Sequence, residues 1–273
     1  MIYCRAMEIY IQMIILAIVQ GLTEFLPVSS SGHLVLVKHL LGFNAISGVG
    51  IELLLHAGTL LAVFVFYRKL IAEVVMGLVR KECEAWRFVI AIAVSMIPAS
   101  ILGLAFDDQL EASAESPIFV CSCLIFTGLL LLSTRLLGRD DGKSVSPLRG
   151  FAMGCAQALA LLPGVSRSGS TIAMARFLGI KPEKAAAFSF LMVVPVIIAG
   201  NLLHIVKALN NVGTSAFDGI TPGLAFVGFV VAAVVGYVSV AWMVRLLNRT
   251  CFWRFGFYCV ALGLVGIVWL CCD

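Results

Sequence analysis

The chain has 273 residues, of which 61% are apolar and 12% charged, with a net charge of +4 and a mean hydropathy of +1.06. Soluble domains run about 45–50% apolar and about 25% charged. This composition excludes a soluble enzyme, a disordered chain and a secreted disulfide scaffold, and leaves a polytopic membrane protein.

Apolar stretches cover residues 8–26, 33–43, 51–66, 87–106, 117–137, 148–162, 170–179, 185–206, 222–246 and 252–271. A spanning helix needs roughly 20 apolar residues. Stretches 33–43, 170–179 and 148–162 are too short to cross and are expected to be re-entrant or broken helices. The N-terminal run reads as a retained segment: Glu8 interrupts it and no A-x-A site follows. Pro98 and Pro195 are expected to kink their helices. The nine cysteines, from Cys4 to Cys272, have no framework spacing, and the Cys121-x-Cys123 pair lacks a completing zinc set. They read as small hydrophobes.

Positive charge concentrates in segments 67–87, 135–149 and 245–254, where Arg245, Arg249 and Arg254 lie, which places these loops in the cytoplasm. Loop 107–116 carries Asp107, Asp108, Glu111 and Glu115 without Lys or Arg, and loop 208–221 carries Asp218; both are expected outside. The charges are spread over short loops, so no nucleic-acid partner is expected. The crossings then close in one way. About six spanning helices combine with two re-entrant helix hairpins, 8–43 entering from outside and 148–179 from inside. The fold class is all-α, a polytopic membrane helix bundle, with residues 1–273 forming a single integral membrane domain.

Gln20 to Gly32 reads QGLTEFLPVSSSG and Gln157 to Gly169 reads QALALLPGVSRSG, at an offset of 137 residues. The halves, roughly 1–137 and 138–273, are therefore expected to form an inverted-topology internal repeat whose breaks meet near the midplane.

Charged groups inside a bilayer are costly and mark function. Here they gather at the two breaks. Glu24 ends the first half-helix, with Gln20 one turn earlier. Ser29, Ser30 and Ser31 follow Pro27, and His33 opens the next half-helix. Arg167 lies in the second break among Ser166, Ser168, Gly169, Ser170 and Thr171. Arg offers a planar fork for phosphate, and the N–H groups of the half-helix opening at Ser168 favour an anion. Glu24 with the Gln20 amide oxygen offers hard oxygen donors for a divalent cation. His33 is an acid/base candidate and Ser30 a nucleophile candidate. Blander readings exist: Glu24 and Arg167 as a neutralising pair, serines bonded to backbone carbonyls, His33 as a packing residue. Glu52 and His56, four apart, are expected to pair or to line the entrance. Lys38 and His39 are expected to be interfacial, and Asn201 and His204 structural.

These residues resemble the undecaprenyl-diphosphate phosphatases of bacteria, the family linked to bacitracin resistance. Its (Glu/Gln)-x-x-x-Glu motif reads here as Gln20-Gly-Leu-Thr-Glu24, followed by Pro27 to His33. Its Pro-Gly-x-Ser-Arg-Ser-x-x-Thr motif reads as Pro163 to Thr171 with every fixed position present. The resemblance implies hydrolysis of undecaprenyl diphosphate to undecaprenyl phosphate and inorganic phosphate, recycling the lipid carrier for peptidoglycan synthesis. It implies Glu24, Ser30, His33 and Arg167 as catalytic residues, and Ser166, Arg167, Ser168, Gly169 and Thr171 as phosphate-binding. It also implies dependence on a divalent cation, Mg²⁺ or Ca²⁺. With Gln20 in place of a first Glu, one carboxylate remains, so Glu24 is weighed ahead of Gln20 as the metal ligand. The implied location is the bacterial cytoplasmic (inner) membrane with the site opening externally. Family members have been seen as dimers, so the resemblance allows a homodimer, on which the sequence itself is silent. The attacking group stays open between Ser30, water and His33. Ser31-Gly32-His33 also matches the core of PAP2-type lipid phosphatases, but that class's Lys-x6-Arg-Pro motif is absent and Ala173 stands where its second His belongs. A polyprenyl-phosphate transporter using the same anion site is the non-enzymatic alternative.

Overall fold

The computed structural model describes residues 2–41, 49–210, 220–248 and 251–272. Asp218 and Arg249 lie outside the described residues, as do the side chains of Cys4, Glu111, Asn201 and His204. The regular secondary structure of the described residues is helical, apart from a single bridge between Lys143 and Ile180. In chain order they form α1 (Ile2–Thr23), α2 (Ser30–Leu41), α3 (Val49–Phe66), α4 (Arg68–Val79), α5 (Cys83–Ala105) and α6 (Asp107–Ala114). These are followed by α7 (Pro117–Leu137), α8 (Pro147–Leu159), α9 (Arg167–Phe177), α10 (Pro182–Asn210), α11 (Pro222–Asn248) and α12 (Phe255–Cys272), the last entered through a 3₁₀ turn. Pro98 and Pro195 lie inside α5 and α10.

Five of these segments are long and apolar enough to cross a membrane: Cys83–Ala105, Pro117–Leu137, Pro182–Gly200, Pro222–Leu247 and Phe252–Cys272. A sixth follows if the bent pair Gly50–Phe66 and Arg68–Val79, 71° apart, is one span. The all-α polytopic bundle expected from composition is what the chain folds into. Segments 67–87 and 107–116, read from their charge as loops, instead contain the helices α4 and α6. Charge density marks where a chain leaves the apolar layer, but Leu70, Val74 and Leu78 recur at helical spacing within it.

The starts of α7, α8 and α9 are specified locally. Ser116, Ser146 and Ser166 each accept a bond from the N–H three residues on, and Pro117 and Pro147 occupy the first position, where a missing N–H costs nothing.

The two short-helix hairpins, α1–α2 and α8–α9, reproduce each other. Ser29 Oγ accepts from Gly32 N (3.3 Å) and Ser166 Oγ from Gly169 N (3.1 Å). Ser29 and Ser31 hydroxyls lie 3.3 Å apart, those of Ser166 and Ser168 3.4 Å. Each pair is related by the 137-residue offset, so the internal repeat is structural. The hairpins are also exchanged between halves: α1 packs along α11 of the second half, and α8 along α5 of the first. Both seams are close. A Cβ on Gly21 would lie 2.8 Å from the Val235 side chain, and one on Gly154 would lie 2.2 Å from the Ser95 carbonyl oxygen. A third close seam joins α7 to α12, where Gly128 and Gly256 face each other.

Irregular backbone at membrane depth must be satisfied from within the protein. The break between α1 and α2 does this with borrowed donors: Ser168 Oγ gives to the Leu26 carbonyl (2.9 Å) and Cys259 Sγ to that of Pro27 (3.6 Å). In the break between α8 and α9, Thr127 Oγ1 donates to the Gly164 carbonyl and accepts from Ser166 N, both at 3.0 Å. Gly164 has φ +96°, and a Cβ there would lie 2.3 Å from the Val120 carbonyl oxygen, so only glycine fits. Beneath the breaks, Phe25, Val63, Ile172, Phe190, Val240 and Met243 form the packed core that holds them in place.

Candidate functional site

The two breaks touch. Gly32 and Gly164 approach so closely that a Cβ on the former would lie 3.1 Å from the Cα of the latter. At their junction the Glu24 carboxylate is buried and gathers four side chains. Arg167 Nη2 donates to Oε1. Gln20 Nε2 donates to Oε2 at 2.9 Å and Ser30 Oγ donates to it at 2.6 Å. The fourth is His56 of α3, whose Nε2 stands 3.7 Å from Oε2. The acidic motif, the serine stretch and the arginine motif thus meet at one carboxylate.

The remaining residues of the second motif build the platform. Ser166 caps α9 through Gly169 N. Ser168 ties α9 to the first break through Leu26. Thr171 Oγ1 bonds the Arg167 carbonyl (2.8 Å) and the Ser189 hydroxyl of α10 (2.6 Å). A Cβ on Gly169 would lie 3.5 Å from Pro27 Cβ and 3.0 Å from the Ser166 side chain, so glycine keeps the first turn of α9 close to the opposite break. Together they present the first turn of α9, with its outward N–H groups, beside Glu24.

His33 lies apart from this cluster. Its Nδ1 bonds the Ser29 carbonyl (2.8 Å) and its Nε2 meets the Tyr258 hydroxyl (2.7 Å), with the two rings inclined by 12°. Neither ring nitrogen bonds to Glu24 or Ser30. Sequence reasoning missed Tyr258 entirely, because it lies 225 residues away on α12. His56 was noticed, but with a different partner in view. The Glu52 carboxylate pairs with Lys38 (2.7 Å), while His56 Nδ1 bonds the Glu52 backbone carbonyl (2.7 Å) and turns Nε2 towards Glu24. The i, i+4 spacing indicated contact between the residues, but the backbone took the bond. His39 packs edge-on against Trp269 at 5.6 Å.

The donors available to a hard cation are Glu24, the Gln20 amide and Ser30. Gln20 Oε1 is buried and has no partner, an orphaned acceptor of the kind a cation satisfies. No cluster of three or more His, Cys, Asp and Glu side chains occurs among the described residues. The set therefore fits an ion held partly by neutral oxygens. A crevice too tight for a water molecule, lined by Glu24, Arg167, Ser168 and Ser189, lies at the junction. A larger cavity of about 610 Å³ lies elsewhere, between α4, α5 and α10, lined by Glu73, Glu82, Arg87 and Lys184, and touches none of these residues. Arg167 and Glu24 are closed on each other and neutralise each other's charge at the junction.

The comparisons agree with the motifs. The family described as bacitracin resistance protein BacA matches residues 13–265. An undecaprenyl-diphosphatase of Christiangramia forsetii is 39% identical over 264 residues, covering 93% of this chain and 96% of its own. The undecaprenyl-diphosphatase of Salinibacter ruber is 37% identical over 270 residues, covering 94% and 97%. That of Novosphingobium aromaticivorans is 38% identical over 272 residues, covering 97% and 99%. On this evidence the chain belongs to the bacitracin resistance protein BacA family.

Proposed function

We propose that the protein is an undecaprenyl-diphosphate phosphatase, a membrane hydrolase that returns undecaprenyl phosphate to peptidoglycan synthesis and thereby confers bacitracin resistance. The observation that carries the reading is the meeting of both motifs at Glu24. Likeness to undecaprenyl-diphosphatases over nearly the whole chain supports the substrate. The isoprenyl tail is accommodated among the spanning helices, in the bacterial inner membrane. The loop charges support a site that opens to the external side, with the two hairpins entering from opposite faces. No observation favours a transporter over the hydrolase.

The geometry supports the following course. The diphosphate enters between the breaks and draws Arg167 off Glu24, exchanging one anion for another on the guanidinium fork. The first turn of α9, positioned by Ser166, Ser168, Gly169 and Thr171, adds N–H donors to the terminal phosphoryl group. The Ser30 hydroxyl already donates to Glu24 Oε2 at 2.6 Å. This favours Ser30 Oγ as the attacking oxygen and Glu24 as the acceptor of its proton. As the Ser30 O–P bond forms, the P–O bond to the bridging oxygen breaks and undecaprenyl phosphate leaves. Water then hydrolyses the phosphoserine, releasing inorganic phosphate and restoring the hydroxyl. A divalent cation such as Mg²⁺ or Ca²⁺, held by Glu24 and Gln20, would screen phosphate charge and make an oxygen nucleophile more acidic. His33, bonded on both nitrogens, acts in this scheme by orienting the start of α2.

The test is phosphate release from a polyprenyl diphosphate by the detergent-purified protein, with added Mg²⁺ or Ca²⁺ and with EDTA. Turnover in the wild type that collapses in both Glu24→Ala and Arg167→Ala is the expected outcome. Folded wild-type protein without turnover under any metal would overturn the reading.

A further inference from the structure

The histidine that faces the reacting carboxylate is His56, and its bonding fixes what it can do there. The Glu52 carbonyl can only accept, so His56 Nδ1 carries a hydrogen and the neutral ring's lone pair sits on Nε2. That lone pair is turned towards Glu24 Oε2 at 3.7 Å, too far for a hydrogen bond. A gap of this order separates two ligand atoms of one ion when each ligand bond is about 2.0–2.2 Å. A ring nitrogen anchored to a backbone carbonyl, with the other aimed into a site, is the usual arrangement of a metal-binding histidine. On α1, Gln20 turns its Nε2 to the same carboxylate oxygen (2.9 Å) and leaves Oε1 buried without a partner. Rotating that amide by half a turn would replace the present Gln20 Nε2 donation with an oxygen directed at the same point. The His56 side chain is 31% exposed. His33 offers no such nitrogen, since both of its own are engaged.

We propose that His56 completes the divalent-cation site with Glu24 and Gln20, giving this chain a mixed nitrogen and oxygen donor set. An imidazole ligand suits Zn²⁺, Fe²⁺ and Ni²⁺, whereas carboxylate and amide oxygens suit Mg²⁺, Ca²⁺ and Mn²⁺. The nitrogen lets the site accept ions of the first kind besides the Mg²⁺ or Ca²⁺ that its oxygens suit. This inference rests on the cation dependence proposed above and deepens it.

Pulsed electron paramagnetic resonance of Mn²⁺ bound to the detergent-purified protein, without substrate, tests it. The wild type is expected to show imidazole nitrogen couplings that change on labelling with heavy-nitrogen histidine. Those couplings disappear in His56→Gln and persist in His33→Gln. Mn²⁺ affinity falls at least about tenfold in His56→Gln, while Ca²⁺ competition improves. Mn²⁺ bound with oxygen couplings alone in the wild type would overturn the role of His56 and leave the cation reading standing. No bound Mn²⁺, together with turnover that resists EDTA, would overturn both. The labelled wild type gives its answer even if the His56 variant fails to fold.

Discussion

Between α1 and α2, the chain carries Glu24, which takes bonds from Gln20 and Ser30. Between α8 and α9, the position equivalent to Glu24 is Leu161, that of Ser30 is Arg167, and that of His33 is Ser170. The caps, the serine pairs and the Gly32/Gly169 pair are retained in both breaks, while the charge is split between them. Gln20 has a partner for its Nε2, whereas Gln157, at the matching place, is buried with neither amide atom bonded. A repeated backbone device can thus be kept while its chemistry is divided: one copy supplies the carboxylate and hydroxyl, the other the guanidinium and helix terminus. Each makes the other's buried charge tolerable.

The largest expected effect comes from removing either half of that division. Glu24→Ala or Arg167→Ala should lower kcat/KM by a factor of about 10² to 10³ or more, measured as phosphate release. Each single change also strands a buried charge, at roughly 3–5 kcal/mol of stability. The double variant Glu24→Gln with Arg167→Met should recover most of the lost thermal stability in detergent yet stay inactive. A double variant as unstable as the singles would mean that the pair contributes geometry rather than charge balance.

Next in size is the packing of the exchanged hairpins. Gly154→Ala should cost about 1–3 kcal/mol and exceed Gly21→Ala. The added methyl meets the Ser95 carbonyl oxygen at 2.2 Å in the first case, and Val235 Cβ and Gly236 N at 2.8 and 2.9 Å in the second. Equal falls in melting temperature would show that α1 is held as rigidly as α8. The paired glutamines sharpen the comparison further. Gln157→Leu should leave activity within about twofold and raise stability, since an unpartnered buried amide is a net cost of about 1–3 kcal/mol. Gln20→Leu should weaken divalent-cation binding, read by calorimetry. The smallest effect is expected from Tyr258→Phe. It removes one hydrogen bond, net about 1 kcal/mol, and should shift melting more than turnover. A tenfold loss of kcat there would return His33 to the chemistry.

Much of this site was legible in the sequence because polar residues stand out against apolar surroundings. Gln20, Glu24, Ser30 and Arg167 were picked out by that contrast, and their juxtaposition by the repeat. What the sequence concealed came from elsewhere in the fold. His56 sits on α3 with a local partner, Glu52, that was a plausible end to its story. Tyr258 is an ordinary aromatic in an apolar run of α12. Only the bundle brings either to a break. The exchange of hairpins between halves is hidden for the same reason, since small residues such as Gly21 and Gly154 mark a close helix contact without marking which helix they touch. Helices α4 and α6 are concealed because their charged residues resemble those of connecting loops.

The exchange has a consequence for biosynthesis. Helix α1 leaves the ribosome long before its cover, α11, has been made, and Glu24 must wait for Arg167 from the second half. Until then the first hairpin has neither the helix it packs along nor the cation that neutralises its carboxylate. The nascent chain therefore has reason to keep that hairpin close to the aqueous boundary or in the care of the insertion machinery, and to seat it only once the second half arrives. Hydrolytic competence would then appear abruptly and late, with the last helices, and a chain truncated before α11 should carry every residue of both motifs and yet have no site.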